Sequence, residues 1–379
     1  MPLILNEEEQ MLKDAAAGFL AEKAPVAALR QLRDERSEAG YDKALWQEMA
    51  EMGWTGIAIP EAYGGLGYGY VGLGLVLEQM GRNLSVSPLQ SAIATAASLI
   101  NIAASEEQKQ ALLPDIAAGT LLVTLALQEG RHHAPANTAL TATCKDGNYI
   151  LNGKKVAVID AHVADKIIVV ARTSGSAGDD QGLSLFLLDS NCAGLSCERV
   201  IMVDSRNAGN IVLDNVTVSS ADLVGELDGA IDALEQTLSI ANTCLAAEML
   251  GLSLQAYETT VEYLKQRSQF DAVLGSFQGL QHRAADMFAE LELCKSMVLA
   301  TLQAIDASAQ DVHILAAGTK AKLCEVTERV TNEAIQMHGG IGMTDEFDMG
   351  FYLKRSRVAQ QTLGGYSYQL DRFASLNGF

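Results

Sequence analysis

The chain has 379 residues, 49% of them hydrophobic and 20% charged. That length suits two or three structural units with a large core, and that balance excludes intrinsic disorder. Its 27 Lys+Arg against 47 Asp+Glu give a net charge of −20, a field that repels phosphate backbones and anionic lipid, so neither nucleic acid nor membrane insertion is expected; an anionic substrate would need a local positive cluster.

Residues Met1 to Gln10 are acidic and lack the basic and apolar regions of a signal or transit peptide. No uninterrupted apolar run reaches the length of a membrane span. Cys144, Cys192, Cys197, Cys244, Cys294 and Cys324 form no CxxC and no metal-type spacing with histidine, which reads as reduced thiols in a cytoplasmic chain. HExxH, GxSxG, Walker A and GxGxxG are absent from the sequence, removing the commonest hydrolase, NTPase and Rossmann readings.

From Glu7 to about Ala118 the apolar residues recur at helical spacing: Leu12, Ala15, Ala16 and Phe19, then Leu45, Trp46, Met49 and Met52, with a stop at Gly53. A glycine-rich bend, Gly64–Gly67, separates these from a further helix beginning near Gly72. From about Leu121 to Gly225 the pattern becomes that of strands: 122–127, 149–151, 154–159, 166–171, 183–188 and 211–213. Asn152-Gly153 between two of them predicts a hairpin with a type I′ turn. From about Ala230 the helical period returns, with one apolar stripe from Leu234 through Leu238, Ala241, Leu245 and Met249 to Leu252 and further helices over about 279–305 and 312–337. The expected fold is therefore α+β: an N-terminal helical domain (1–120), a middle antiparallel β-barrel or sandwich (121–225) and a C-terminal four-helix bundle (226–379).

That order resembles the acyl-CoA dehydrogenase family, and local segments carry the resemblance along nearly the whole chain. Trp46 to Trp54 followed by Ile59-Pro-Glu-Ala-Tyr-Gly-Gly-Leu-Gly67 resembles its N-terminal signature, and Glu78-Gln-Met-Gly-Arg82 follows as in the family. Arg267-Ser-Gln-Phe270 with Phe277-Gln278 is similar to its Arg-x-x-Phe segment, and Gln336-Met-His-Gly-Gly-Ile-Gly-Met-Thr-Asp-Glu346 to its C-terminal glycine signature. The likeness is nearest to the branch containing small subunits of pimeloyl-CoA-type and steroid side-chain dehydrogenases.

The resemblance implies FAD as cofactor, an acyl-CoA thioester as substrate oxidised to the 2,3-enoyl-CoA, an electron-transfer flavoprotein as acceptor, and a homo- or heterotetramer built as a dimer of dimers. It implies that Arg267 reaches the FAD pyrophosphate of a neighbouring subunit, where a helix-end arginine capping carbonyls is the plainer alternative. Phe270 falls beside the flavin or is ordinary core; Gln278 is a further polar residue near the cofactor. Gln336, Gly339 and Gly340 lie against the adenosine half, Tyr366 near the flavin or adenylate, and His338 is core rather than catalytic.

Two departures from the family pattern matter. Its Thr-Glu-Pro and Gly-Ser-Asp are replaced by Leu127-Gln128-Glu129-Gly130-Arg131-His132-His133, and its Trp-Ile-Thr by Ala157-Val158-Ile159. Backbone N–H groups of Leu127 and Ile159, with Gln128 in the Thr position, are what remains for the flavin edge. Arg131–His133 is either a solvated loop or a contact for a CoA phosphate or acidic substrate. The family base, a glutamate, falls at Gly364, and its alternative position at Ala241, with Asn242 in place of the adjacent arginine. Glu248 is a weak substitute, two helical turns from Ala241 and equally readable as a salt-bridged helix carboxylate; Asp371 reads as helix exterior. The resemblance thus admits three functions: a dehydrogenase or one subunit of it, a structural subunit without chemistry of its own, or altered chemistry such as elimination or desulfination.

Overall fold

The computed structural model describes residues 3–379. Before the strands come α1 (Glu7–Lys23), α2 (Val26–Asp34), α3 (Lys43–Glu51), α4 (Tyr70–Asn83), a π-helical segment (Leu89–Ala97), α5 (Ser98–Ala103) and α6 (Glu106–Ala117). Capping boxes open α1, where Asn6 and Glu9 exchange side-chain bonds, and α6, where Ser105 and Gln108 do so. Gly53, at φ +79°, follows α3 as expected of a helix stop. Every residue from Val71 to Gly81 of α4 is buried, so this helix is covered on all sides, and its buried Glu78 is paired with Lys13. In the π-helical segment, hydroxyls reach back five residues, Thr95 to the Gln90 carbonyl and Ser98 to that of Ile93, which fits the wider turn.

The strands are β1 (Val123–Ala126), β2 (Thr141–Lys145), β3 (Asn148–Ile159), β4 (Lys166–Arg172), β5 (Leu183–Asp189), β6 (Leu195–Ile201), β7 (Asn207–Ser219) and β8 (Leu223–Val224). They form one sheet in the order β6-β7-β3-β2-β4-β5-β8, with β1 pairing β4. Pairing is antiparallel except for β1 beside β4 and a single β2–β4 bridge at Thr141 and Arg172. The predicted hairpin exists but turns elsewhere. Asp146 and Gly147, at φ +51° and +80°, make the tight turn between β2 and β3, while Asn152-Gly153 lies inside a continuous β3. There the register against β7 slips by a bulge, and Gly153, at φ +146°, packs so tightly that a Cβ would stand 2.8 Å from the Leu140 side chain. Inward-facing Leu151, Val169, Phe186 and Ile211 fill the core of the sheet.

The last part runs α7 (Ala230–Gln266), a short hairpin of β9 (Ser268–Gln269) and β10 (Ala272–Val273), α8 (Gln278–Asp306), α9 (Val312–His338), α10 (Met349–Gln361) and α11 (Tyr366–Leu376). Helix α9 is the central member, packed against α8, α10 and α11. Among the described residues, α7 alone is long and apolar enough to cross a bilayer, against the expectation from the sequence, and its most apolar stretch is wholly buried.

By its contacts the chain divides into two compact units. One, mostly helical, contains 1–35, 70–86 and 242–379; the other, built on the sheet, contains 36–69 and 87–241. In the helical unit α4 and α7 cross backbone against backbone. A Cβ at Gly81 would run into the Glu248 carbonyl, and one at Gly251 into that of Glu78.

This crossing gives a direct test. Gly251→Ala should cost about 3 kcal/mol, the upper end of overpacking penalties, whereas Gly18→Ala, in α1 with open space around it, should stabilise by about 0.5–1 kcal/mol. Urea unfolding of the two variants measures both, and similar values for the two would refute the close crossing.

Candidate functional site

In the helical unit the structure brings the Arg267 segment and the glycine signature together. Arg267 follows α7 directly, and its carbonyl accepts from Leu274 N–H at 2.8 Å to close the β9–β10 hairpin. Phe270 and Asp271 occupy the two turn positions, both at φ +56°. That suits a type I′ turn, but a phenylalanine there is strained, and Phe270 is 87% exposed. Gln278 opens α8, and Gln336 lies on the last turn of α9, both exposed. Gly339 has φ +64° and ψ −137°, a conformation open essentially to glycine alone; a Cβ on it or on Gly340 would meet nothing within 4 Å. Tyr263, one turn before Arg267, donates its hydroxyl to the His338 carbonyl at 3.3 Å. The His338 ring stacks between Tyr263 and Phe347, at 4.4 and 4.7 Å, with Nδ1 against the Ala334 carbonyl at 2.7 Å. Burial lowers its pKa, and the ring is core, as read from the sequence. Beyond the glycines, Asp345 takes a fork from Arg33 at 2.6 and 2.9 Å, which holds its carboxyl well below the usual range, at about 2.

The positions that the resemblance assigns to a base are built as follows. Gly364 sits in a strained turn, Thr362–Gly365, where Leu363 and Gly364 have φ +58° and +98°. The Leu363 carbonyl accepts from Asn242 Nδ2 at 3.2 Å and from Gln369 Nε2 at 2.9 Å. Lys320, fully buried in α9, donates to the carbonyls of Ala359 at 2.7 Å and Thr362 at 3.0 Å, placing its charge at the C-terminal end of α10, where it is favoured. A Cβ at Gly364 would collide with the Tyr368 ring, so that ring, and not open space, stands where a side chain would begin. Tyr366 opens α11, 45% exposed, and Asp371 lies on the exposed side of the same helix. Glu248 is 1% exposed and held by a two-pronged pair with Arg355, at 2.9 and 2.8 Å. Its carboxylate is committed to that pair, the salt-bridged alternative weighed from the sequence.

In the sheet unit, Ala241 is buried and its carbonyl accepts from Gln90 Nε2 at 2.9 Å. Gln128 turns its amide onto its own loop, donating to the carbonyls of Gly130 and His132, both at 2.7 Å. The carbonyls of Leu127 and Ile159 accept from Lys155 Nζ at 3.1 Å and Thr124 Oγ1 at 2.7 Å. Ala157, at φ +50°, lies in a second bulge of β3. Lys155 is fully buried beside Glu129, and burial lowers its pKa to about 8 against the pull of that carboxylate. Segment 127–138 borders a cleft of about 330 Å³.

Sequence reasoning missed Lys155, Lys320 and Arg172. Lys320 did leave a signal: it falls in the apolar stripe of Ala316, Ala317, Cys324 and Thr327, where a lysine needs an internal acceptor.

Three family models match in succession: acyl-CoA dehydrogenase N-terminal domain over 6–120, middle domain over 126–216 and C-terminal domain over 228–375. The chain belongs to the acyl-CoA dehydrogenase family. It is 30% identical to a probable short/branched chain specific acyl-CoA dehydrogenase of Dictyostelium discoideum, over 98% of this chain and 90% of that one. Among solved structures it is similar to a variant of the Tcur3481–Tcur3483 steroid ACAD, with 33% identity and TM-score 0.87 over 98% of each chain. It is also similar to an FAD complex of PigA, with 25% identity and TM-score 0.90 over 100% of this chain and 99% of that one. The helical, sheet and helical parts expected from the sequence are those of this family.

Two predictions follow from the buried charges. Glu248→Ala leaves Arg355 unpaired and should cost about 3–5 kcal/mol in urea unfolding; a cost below about 1 kcal/mol would mean that the carboxylate is free for other work. Burial lowers the pKa of Lys320 from 10.5 to about 8, in the company of Cys324, Arg355 and Glu248. Between those values the unfolded chain holds a proton that the folded chain has released, so stability relative to Lys320→Met should rise as pH goes from 8 to 10.5. A flat or falling difference would contradict a lysine whose pKa is lowered by burial in that core.

Proposed function

We propose that the chain is one subunit of an FAD-dependent acyl-CoA dehydrogenase and relies on a second, related chain for the catalytic base. The observation that carries this is the state of the carboxylates. The positions that the resemblance assigns to a base hold Gly364 and Ala241, and the buried Glu248 is committed to Arg355. An α-proton beside a thioester is weakly acidic, so a site lacking a base loses orders of magnitude in rate.

FAD is the family's cofactor, and it supplies the two-electron acceptor when bound. The helical unit fits its adenosine-diphosphate part: Arg267 is exposed, Gly339 and Gly340 leave backbone open to a phosphate, and Phe270 stands out from its hairpin. All of these face solvent rather than a cavity of their own, which suits a half-site lent to a neighbouring subunit. The sheet unit fits the ring end less well. The Gln128 amide is spent on its own loop, and Ala157 offers no ring to pack on the flavin. Kinship with a steroid ACAD named for a pair of chains supports both a heteromeric assembly and a bulky acyl group. A flavoprotein carrier is the proposed electron acceptor. The reading of altered chemistry has no observation in its favour beyond the same missing base.

Expression alone and together with a related chain encoded nearby tests the proposal. The chain alone should purify with substoichiometric flavin. With its sister it should form a dimer of dimers by light scattering, with flavin bound and acyl-CoA oxidised. A chain that alone carries one flavin and turns over a straight-chain acyl-CoA at roughly 1–10³ per second overturns it.

A further inference from the structure

Among the described residues of the sheet unit, three buried side-chain polar atoms have no hydrogen-bond partner, and two of them flank Ala241: Gln90 Oε1 and Thr237 Oγ1. Gln90 belongs to the π-helical segment and Thr237 to α7. Residues four apart on a helix share a face, so Thr237 sits on the face of Ala241, about 6 Å before it along the axis. Gln90 reaches the same place from the other element, because its Nε2 donates to the Ala241 carbonyl at 2.9 Å. That bond also settles which end of the amide is which, since a turned amide would set Oε1 against another carbonyl oxygen.

Thr237 forgoes the partner that a helical hydroxyl ordinarily takes, the carbonyl four residues earlier. In the same helix Ser239, Ser253 and Thr260 make that bond, at 2.9, 2.7 and 2.7 Å. Thr237 is fully buried and makes none. Unpaired buried oxygens are costly and rare, and two on adjoining elements point to a polar group that completes both. The two differ in kind: Gln90 Oε1 only accepts, whereas the Thr237 hydroxyl also donates. A hydroxyl on a ligand answers both at once, giving its proton to Gln90 and taking one from Thr237. A ketone answers Thr237 alone, and a methylene answers neither.

We propose that Gln90 and Thr237 select an acyl group that carries a hydroxyl. The proposal rests on the acyl-CoA dehydrogenase reading for one thing, that the acyl chain passes Ala241. The resemblance assigns this position to a base, and a base must come within reach of the α-proton. The selection itself is made in binding and needs no base.

The experiment is calorimetric titration of the FAD-supplemented chain, with its sister where the two co-purify. The probes are hexanoyl-CoA and its derivatives hydroxylated at C4, C5 and C6, which place the hydroxyl roughly within one helical turn of the α-carbon. Wild type should bind one hydroxylated isomer about tenfold more tightly than hexanoyl-CoA, the worth of about one buried hydrogen bond. Thr237→Val, which keeps the shape, should abolish the preference, Gln90→Met should abolish it too, and Thr237→Ser should retain it. Since the hydroxyl has no partner within the protein, Thr237→Val should leave the urea midpoint no lower than in wild type. Isomers that all bind within about twofold of hexanoyl-CoA, the result if an ordered water is the only partner, overturn the proposal. A preference that survives Thr237→Val, or a lowered urea midpoint in that variant, overturns it as well. Failure of the acyl-CoA dehydrogenase reading would show instead as absent acyl-CoA oxidation by the assembled protein, with the Thr237-dependent preference in binding intact; if no CoA ester binds, both fall.

Discussion

Three helices meet where Gly81 and Gly251 let α4 and α7 touch, and the Glu248–Arg355 pair is fixed at that junction. The carbonyl that bars a side chain at Gly81 belongs to Glu248 itself. Arg355 reaches the same residue from α10, and Tyr352, also on α10, donates to the Arg82 carbonyl of α4 at 2.6 Å. A buried ion pair is costly to desolvate, and two-pronged geometry is what offsets that cost. Once formed, it holds both carboxylate oxygens on the guanidinium. From this junction α10 runs into the Thr362–Gly365 turn, whose carbonyls are tied by Lys320, Asn242 and Gln369. The turn is strained, and strain persists where surrounding contacts over-determine it. The position that the resemblance assigns to a base, Gly364, is thus a rigid backbone feature without a side chain.

Much of the fold was legible because it rests on period. The return of the helical period near Ala230 and the stripes of the next two helices place the start of α7 and both ends of α8 and α9 to within about two residues, since burial along one face is what makes these helices stable. The change to strands near Leu121 was legible for the same reason. What failed was local turn chemistry. Asp146-Gly147 and Asn152-Gly153 are equally good hairpin turns by sequence, and only the pairing of β3 with distant β7 makes the second a bulge. The parallel pairing of β1 with β4 and the π-helical segment likewise follow from tertiary contacts that no window of neighbouring residues contains.

The site was legible unevenly. Arg267 and Gly339 lie far apart in sequence, yet Tyr263 links their segments through His338, so motif reading gathered residues that the fold also gathers. Gln128 takes, by the resemblance, the place of a flavin contact, and in the structure its amide nitrogen donates to two carbonyls of its own loop; which neighbours a side chain bonds leaves no trace in sequence. Arg172 and Lys155 were invisible because a charged residue in a strand reads as exposed until the sheet's neighbours are known. The sequence carries no carboxylate at Gly364, where the resemblance puts the base, and the structure adds that Tyr368 fills the room beside that glycine.

The central claim is that this chain has no base of its own, and proton exchange at carbon tests it without requiring oxidation. The measurement is deuterium uptake at the α-carbon of a saturated acyl-CoA in D₂O, followed by NMR, with the FAD-supplemented chain alone and with its sister. The account predicts uptake at the protein-free rate for the chain alone and fast uptake for the pair. Fast uptake by the chain alone, surviving Glu248→Gln, would contradict it.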